Sequence, residues 1–324
     1  SASLTGAPAI VVGRKGSIGS LTYLDTPCWP IDTAYYVEVD QSRFDLRWIY
    51  WAMGSLNLGA MNKSAAVPGL NRDDVYRLEL RTPPLPEQRR IASILDLAAK
   101  LGAVAGRRMT LTTTLKQSLF RDRFGPEPHL DFDMVSLGEL IDPERPISYG
   151  ILKPGPHIPD GVPYIRVTDF YGGVVAVDKV RRTSSEIDHE FRRSRLKAGD
   201  LLFSIRGHVG RTAIVPELLD GANITQDTAR LALREVDPEF LREWLATPFA
   251  QLWMRQRTKG AAVKGINLGD LRLLPVPVPA VETQNLFGDQ IRTIDVGLVH
   301  QSNILALAEQ LMTSLQSRAF RGEL

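Results

Sequence analysis

A long internal duplication constrains the fold of this 324-residue chain more than any other feature of its sequence. Four groups of residues occur twice in the same order, and the offset between matched positions grows smoothly from 191 (Lys15 to Arg206) to 200 (Leu115 to Leu315). A period of this length is several times that of a solenoid repeat. The sequence therefore predicts two copies of a whole domain, matched at residues 13–19 and 205–210, 30–34 and 224–229, 63–71 and 259–267, and 115–121 and 315–321.

The composition is that of a globular protein, with 44% hydrophobic and 23% charged residues. The single cysteine, Cys28, excludes an intrachain disulfide and favours a reducing, cytoplasmic location. No apolar run is long enough to suggest a membrane span, and we expect no signal peptide. The net charge of +2 argues against a protein that coats nucleic acid through charge alone, but it leaves sequence-specific binding open.

The predicted secondary structure follows the duplication, because each mixed segment ends in a Pro-rich exit and a long helix. The prolines of residues 82–86, followed by Glu87, predict the start of a helix that runs to about Phe124. A second long helix is predicted from Glu282 to about Phe320. A short buried helix is expected over 47–53, and strands over 10–12, 33–39, 162–167, 201–205, 230–233 and, with alternating prolines at a sheet edge, 274–279.

Both long helices carry an apolar stripe at alternating four- and three-residue spacing, which is typical of coiled coils. A helix with one apolar stripe needs a partner, and the simplest partner for each is the other. Two ordinary core helices of a globular domain are the alternative interpretation. The predicted seam residues are Ile91, Ile94, Leu101, Leu115 and Leu119 on the first helix and Ile291, Ile294, Leu298, Leu305, Met312 and Leu315 on the second.

Several of these motifs resemble the DNA specificity subunit of type I restriction–modification systems. Residues 13–19 with 29–33, and residues 199–207 with 224–227, look like its target-recognition domains. Residues 83–91 are similar to its junction between recognition domain and spacer helix, and residues 319–324 to its carboxyl terminus. The resemblance implies an α+β fold: two mixed α/β target-recognition domains separated by two long helices that form an antiparallel coiled coil, with an internal pseudo-twofold axis.

The resemblance also divides the chain into four parts. Residues 1–85 would form the first target-recognition domain with its amino-terminal part missing, since the second copy has about 70 residues ahead of its glycine turn and the first copy has only a dozen. Residues 86–125 would be the first spacer helix, 126–281 the second target-recognition domain, and 282–324 the second spacer helix.

The function implied by the resemblance is recognition without catalysis. The chain would read a bipartite site in double-stranded DNA and position two methyltransferase (modification) subunits together with restriction/translocase subunits. We expect no cofactor in this chain, with S-adenosylmethionine and ATP/Mg in the partner subunits. The sequence contains no phosphate-binding loop, no zinc-protease motif and no Cys/His set with metal spacing. Two alternatives stay open: a methyltransferase or nuclease with its own catalytic site, and a coiled-coil scaffold that does not bind DNA.

The candidate DNA contacts lie in glycine-containing turns and small-residue loops, where the backbone can approach a ligand closely. Basic residues there could reach a phosphate or a guanine edge, and Gln226 could reach an adenine. Arg166 and Thr168 would share one side of a predicted strand. Solvated turns and packing loops are the alternative, and this is the favoured interpretation for the basic cluster of residues 181–197. The candidates are Arg14, Lys15, Ser17, Lys63, Arg166, Thr168, Arg206, His208, Gln226, Lys259 and Lys264.

Overall fold

A computed structural model describes residues 4–61, 69–260 and 263–324 of the chain. Its residues cluster into unit 1 (Ser1–Arg108 with Ser302–Leu324) and unit 2 (Met109–Gln301). The strands are β1 (Ala9–Gly13), β2 (Leu21–Leu24), β3 (Ala34–Val37), β4 (Met134–Ser136), β5 (Ser148–Tyr149), β6 (Val162–Ile165), β7 (Phe170–Tyr171), β8 (Val174–Val175), β9 (Arg181–Thr183), β10 (Leu201–Ser204), β11 (Thr212–Ile214), β12 (Asn223–Ile224), β13 (Thr228–Leu231) and β14 (Pro275–Pro277). The α-helices are α1 (Leu46–Gly54), α2 (Arg72–Tyr76), α3 (Leu85–Phe124), α4 (Pro128–Asp131), α5 (Ser185–Glu190), α6 (Pro238–Leu245), α7 (Pro248–Arg257), α8 (Leu268–Arg272) and α9 (Val281–Arg321).

Unit 1 is built on a three-stranded antiparallel sheet with the order β2-β1-β3. Ile10 and Val12 of β1 belong to the same buried cluster as Trp48 and Ala52 of α1. The predicted strand 10–12 and the predicted buried helix 47–53 are therefore confirmed. The strand predicted over 33–39 is shorter at its start, because the N–H of Ala34 donates to the carbonyl of Ile31 at 2.9 Å and thereby places Thr33 in a turn.

Unit 2 repeats this sheet and adds to it. Its main sheet has the order β11-β10-β13-β5, so β10 occupies the central place that β1 has in unit 1. A second sheet, β12-β6-β9, and two pairs, β14-β4 and β7-β8, complete the unit. Strands β4 to β9 come from the additional residues that precede the glycine turn in the second copy. The predicted strands at 201–205 and 274–279 are confirmed with shorter bounds, and β13 lies two residues earlier than predicted.

A buried glutamine joins the first turn of each long helix to the short helix beside it. In unit 1 the side-chain oxygen of Gln88 accepts from the backbone N–H of Asp45, 2.8 Å away, and its amide donates to the carbonyl of Pro83. In unit 2, Gln284 makes the same two bonds with Asp237 and Pro279, at 3.1 and 2.8 Å. Each aspartate in turn caps its own helix, α1 or α6, with a side-chain oxygen. We call this arrangement the glutamine clamp.

The two predicted long helices are confirmed as α3 and α9, and within each unit they pack in antiparallel directions. In unit 1, Leu95 lies in one buried cluster with Ala319. In unit 2, the rings of Phe124 and Phe287 lie 5.2 Å apart. Residues early in α3 thus meet residues late in α9, and the reverse holds at the other ends. No helix in the described ranges is long and apolar enough to cross a membrane.

The seam of α9 agrees with the sequence, whereas two of the five seam residues predicted for α3 are wrong. Ile291, Ile294, Leu298, Leu305, Met312 and Leu315 are all buried or partly buried, as predicted. On α3, Ile91 is buried and Leu119 and Ile94 are partly buried, but Leu101 and Leu115 are 48% and 49% exposed. The residues on α3 that are covered instead are Leu95, Gly102, Met109 and Lys116, one position further along the helix.

The physical reason for this correction is that the helices pack closely through small residues. A Cβ atom built on Gly102 would lie only 4.0 Å from the Cβ atom of Ala308, and Ala98 and Ala105 are also buried. A spacing pattern based on the largest apolar side chains predicts Leu101 at the seam, although Leu101 lies beside it.

Unit 2 also contains a buried group of charges where α6 meets both long helices. The ammonium group of Lys116 lies 2.8 Å from Asp295 and 3.2 Å from Glu243. The guanidinium group of Arg242 contacts the same two acids and lies 2.9 Å from Glu239. Burying an unpaired charge is costly, so these five ionisable side chains can be buried together in unit 2 only because they pair with one another. A lysine at a seam position is also a means of selecting one helix register.

Candidate nucleic-acid interface

The glycine turn of unit 2 presents two polar side chains on a rigid frame. Gly207 and Gly210 have φ angles of 72° and 90°, which glycine adopts without strain. The Ser204 hydroxyl donates to the carbonyl of His208, and the N–H of Gly210 donates to the carbonyl of Ser204 at 3.0 Å. The predicted contacts Arg206 and His208 are consequently held on the exposed side of the turn.

Two further loops are fixed to this turn by backbone hydrogen bonds. The N–H of Ile205 donates to the carbonyl of Asp227 at 2.9 Å, and the N–H of Gly207 donates to the carbonyl of Lys264 at 2.9 Å. The N–H of Ile266 donates to the carbonyl of Ile205 at 2.9 Å. The structure thus joins three segments that lie far apart in the sequence, namely residues 205–210, residues 225–227 and the described residues 259–260 and 263–267 of the third loop. We call this arrangement the three-loop surface.

The three-loop surface of unit 2 has a positive character. Lys259 and Lys264 are exposed and have no ion-pair partner within the described part of the chain. Arg206 lies 3.8 Å from Asp227, and both side chains are about half exposed. An exposed pair at that distance is weak, so Arg206 can exchange Asp227 for a ligand at little cost. Gln226 is partly buried beside them.

Unit 1 reproduces the same arrangement from its own residues. The N–H groups of Arg14 and Lys15 donate to the carbonyl of Thr33 at 2.9 and 3.1 Å, and the N–H of Leu70 donates to the carbonyl of Arg14 at 2.9 Å. Lys15 and Ser17 are exposed. Arg14 is partly buried, donates to the carbonyl of Asp32 at 3.1 Å and lies over the ring of Tyr35. Lys63 lies outside the described residues.

Comparison with known proteins identifies the family of this chain. The family model described as the type I restriction modification DNA specificity domain matches residues 3–101 and 131–305. The chain belongs to this family. The specificity subunit of the type I restriction enzyme EcoBI from Escherichia coli is 30% identical to it, over 97% of this chain and 73% of the relative. The MjaVIII specificity subunit of Methanocaldococcus jannaschii is 20% identical over 89% and 70%.

A solved structure supports the same fold. The S subunit of a type I restriction-modification system from M. genitalium superposes with a TM-score of 0.65 over 98% of this chain and 84% of the other, at 17% identity. This likeness shows a shared α+β fold. In this specificity-domain family member, three of the four matched sequence motifs form the three-loop surface of each unit, and the fourth lies in the long helices.

Arg166 and Thr168 do not share one face of a strand, so that prediction is wrong for this specificity domain. Strand β6 ends at Ile165, and residues 167–169 form a 3-10 helix. The cause is Asp169, whose buried carboxylate accepts hydrogen bonds from the backbone N–H of Arg166 at 2.9 Å and from its guanidinium group at 2.6 Å. This hydrogen bonding raises the pKa of Arg166 above its ordinary value. Thr168 is exposed and its hydroxyl lies 3.4 Å from Asp169.

The sequence prediction missed an ordered arginine beside the three-loop surface. Arg257 ends helix α7, two residues before Lys259, and its guanidinium lies 3.8 Å from the ring centre of Trp253. Such cation–π stacking orients the guanidinium group. The aromatic residue one helical turn before the arginine is a signal that could have identified it. No cluster of metal-ligating side chains occurs among the residues that the structure describes.

Proposed function

We infer that this chain is the DNA-recognition subunit of a type I restriction–modification complex. The observation that carries the inference is the three-loop surface, present in each unit of a chain that belongs to the specificity-domain family. Its relatives are named specificity subunits, so recognition without catalysis is the role that family membership supports. An enzyme with its own active site and a scaffold that ignores DNA are not favoured.

The three-loop surface suits contact with both the backbone and the bases of DNA. Lysine side chains act as point charges toward phosphates, which fix the position of a protein on the duplex without reading its sequence. We therefore assign Lys259 and Lys264 to phosphates. Arginine and glutamine can make paired hydrogen bonds to guanine and adenine in the major groove. Arg206 and Gln226 are accordingly our candidate base readers.

We further propose that each unit reads one half of a bipartite site. A helix–helix spacer would then set the separation of the half-sites, on the order of one or more duplex turns of roughly 34 Å. The second unit would read its half through Arg206, His208 and Gln226. The first would read its half through Ser17 and through Lys15, since a lysine in a turn that enters the major groove can also bind the edge of a guanine. Arg14 would support its turn, since its side chain already contacts Asp32 and Tyr35.

The methyltransferase subunits would dock on the long helices. In unit 1 the two long helices expose large apolar side chains, with Leu97 and Leu307 62% and 63% exposed. On the opposite side of the seam, Ala92 and Ala99 pack in the core of unit 1. We call the exposed residues the flank patch: Leu97, Leu101 and Val104 of α3, and Leu307 and Leu311 of α9. Contiguous exposed apolar groups of this kind mark protein interaction sites.

An apolar stripe on two adjacent helices fits further amphipathic helices, which would extend the pair to a bundle. We propose that two methyltransferase subunits and the restriction subunits assemble with this chain in the cytoplasm, where the DNA is. The methyl donor S-adenosylmethionine, and ATP with Mg²⁺, would be bound by those partners and not by this chain.

The decisive experiment is sequencing of methylated DNA from cells that express this chain with its modification subunits. We expect methylated adenine within a bipartite motif. Replacing residues 129–280 by the corresponding region of another family member should change one half of the motif and leave the other half intact. The control is the same exchange made in a chain expressed without modification subunits, which should give no methylation. A motif that is unchanged by the exchange contradicts the assignment.

A further inference from the structure

A groove beside the three-loop surface of unit 2 has no role in the function proposed so far. One wall is the edge strand β5, with Ser148 and Tyr149, and the other is the turn of residues 190–194. Leu268, which follows the loop of residues 259–267, closes one end. The N–H of Gly150 donates to the carbonyl of Thr225 at 3.4 Å, and the N–H of Gln226 donates to the carbonyl of Ile151 at 3.0 Å. The groove therefore adjoins the loop that carries Gln226.

The basic cluster of residues 181–197 is not a uniform solvated face, because its arginines differ in their contacts. Arg195 is paired with the buried carboxylate of Asp188. Arg182 lies on β9 and donates to the carbonyl of Gly161 at 2.9 Å. Arg192 and Arg193 instead line the groove and are exposed. The side chain of Arg193 has no ion-pair or hydrogen-bond partner among the described residues, and that of Arg192 has one bond of 3.4 Å, to the carbonyl of His189.

A buried arginine fixes the position of this turn. Arg230 is 3% exposed and lies in the central sheet, opposite Ser148. Its guanidinium group donates to the carbonyls of Arg193 and Arg195 at 2.7 and 2.9 Å and to that of Pro146 at 3.0 Å. These three hydrogen bonds thus connect the turn of residues 190–194 and the adjacent Arg195 to the segment that precedes β5. Burying an arginine against carbonyls is costly, and its three bonds use two nitrogens of the planar guanidinium group, a spacing that the single nitrogen of a lysine does not offer.

We propose that this groove binds the phosphodiester backbone of DNA, with Arg192 and Arg193 as the contacting residues and Arg230 as the residue that positions them. The proposal rests on the proposed function and extends its interface from the three-loop surface along β5. The lining has two positive charges against one negative charge, on Glu190. Tyr149 is 51% exposed and can donate its hydroxyl to a phosphate or sugar oxygen. Contacts of this type add affinity without reading sequence.

The test is the salt dependence of DNA binding by the full chain in complex with its methyltransferase subunits, measured on a short duplex that carries the methylated motif. Each lost phosphate contact lowers the slope of log affinity against log salt by about 0.9. We therefore expect R192Q/R193Q to reduce the slope by about two while the methylated motif stays the same. The charge-matched control R181Q/R182Q, outside the groove, should keep the parental slope. An unchanged slope in R192Q/R193Q, or an equal loss in the control, overturns the proposal.

Failure of the underlying function would look different. If the parental complex does not bind the duplex in a sequence-specific manner, the recognition role itself is wrong and the groove proposal falls with it. If the parent binds and R192Q/R193Q keeps its slope, only the groove proposal is wrong. Both substituted residues are exposed, so the variant is expected to fold.

The positioning role of Arg230 is tested by a double-mutant cycle. R230K keeps the charge but loses bonds to the turn, and we expect it to weaken DNA binding several-fold. Adding R193Q to R230K should then cost less than R193Q costs in the parent, because the turn is already displaced. Losses that simply add would show that Arg230 serves stability alone. Thermal unfolding of R230K alongside the parent establishes that the measured complex is folded.

Discussion

The carboxylate beside an arginine decides whether that arginine is available to DNA. Arg166 is held at 2.6 Å by Asp169, which is 1% exposed, so releasing the guanidinium would leave a buried charge unpaired. Arg206 lies 3.8 Å from Asp227 in a pair that is about half exposed on both sides. Separating an exposed pair costs little. The two arginines look alike in the sequence, yet only Arg206 is free to form new contacts.

The fold strongly shifts the protonation of Glu239. Burial raises its pKa from the ordinary 4.5 to about 7, against the opposing attraction of Arg242. Its carboxylate lies 2.9 Å from that guanidinium, yet the buried oxygen Oε2 receives no hydrogen bond. The buried group of charges contains two cations and three acids, so a proton on Glu239 makes it neutral.

We expect the stability of the chain to fall as the pH rises from about 4.5 to about 7. The folded state holds the proton of Glu239 up to its raised pKa, so the stabilisation is present below 4.5 and is lost as the pH rises through 7. The loss should be on the order of 3 kcal/mol. Denaturant unfolding over this pH range should show that E239Q lacks this part of the dependence, while the exposed control E235Q retains it. Parallel profiles for E239Q and the parent would contradict the assignment.

At the scale of elements, the glutamine clamp explains why each long helix begins where it does. The prolines before α3 and α9 have no N–H to donate. At the start of each helix the glutamine side chain accepts a hydrogen bond from the aspartate N–H and donates one to the proline carbonyl. In both copies a proline is followed five residues later by the glutamine, Gln88 or Gln284. The pattern is visible in the sequence, but its partners, Asp45 and Asp237, lie more than forty residues away.

Q284A should lower the free energy of unfolding by about 1–3 kcal/mol, because it leaves the buried N–H of Asp237 without an acceptor. The matched control is Q290A on the exposed side of the same helix, which should change stability by less than about 0.5 kcal/mol. Chemical denaturation of both variants measures the difference. Equal effects of the two substitutions would show that the clamp does not stabilise this corner.

The flank patch is the second element-scale feature, and it has a direct test. L97E/L101E should leave the helix pair intact, because both side chains are exposed, and should abolish binding of the methyltransferase subunits. Co-purification and sedimentation of the mixed subunits report the complex, and circular dichroism reports the helices. R89Q/S93E, exposed and earlier on the same helix, changes the net charge by the same amount and serves as the control. Retained assembly by L97E/L101E would exclude this surface as the docking site.

At the scale of the whole molecule, the two units should act on different halves of the recognised motif. K15Q changes the glycine turn of unit 1, and R206Q changes the matched turn of unit 2. If these residues contact bases, each variant should relax the methylated motif in one half only, with a cost of about 1–3 kcal/mol in discrimination. Sequencing of methylated DNA from cells carrying each variant measures this. Relaxation of the same half by both variants would disprove the division of labour.

Much of this architecture was predictable because its signals are local. The prolines and the acid at the start of α3, the alternating prolines of β14 and the glycines of the two turns act within a few residues of where they stand. The boundaries were less certain where a distant residue intervened. Asp169 ended β6 early, and the turn closed by the bond from Ala34 to the carbonyl of Ile31 kept Thr33 out of β3. The seam of α3 shifted because Gly102 and Ala308 allow close packing, which no pattern of large apolar residues reports.

The duplication, the two long helices and membership of the specificity-domain family follow from the sequence alone, because repeated motifs and helix signals need no knowledge of distant neighbours. Which charged side chains are available depends on the folded structure. Electrostatic and hydrogen-bond energies depend on the distance between groups and on burial. Those quantities arise when residues such as Lys116 and Asp295, or Arg230 and Arg193, are brought together from separate parts of the chain.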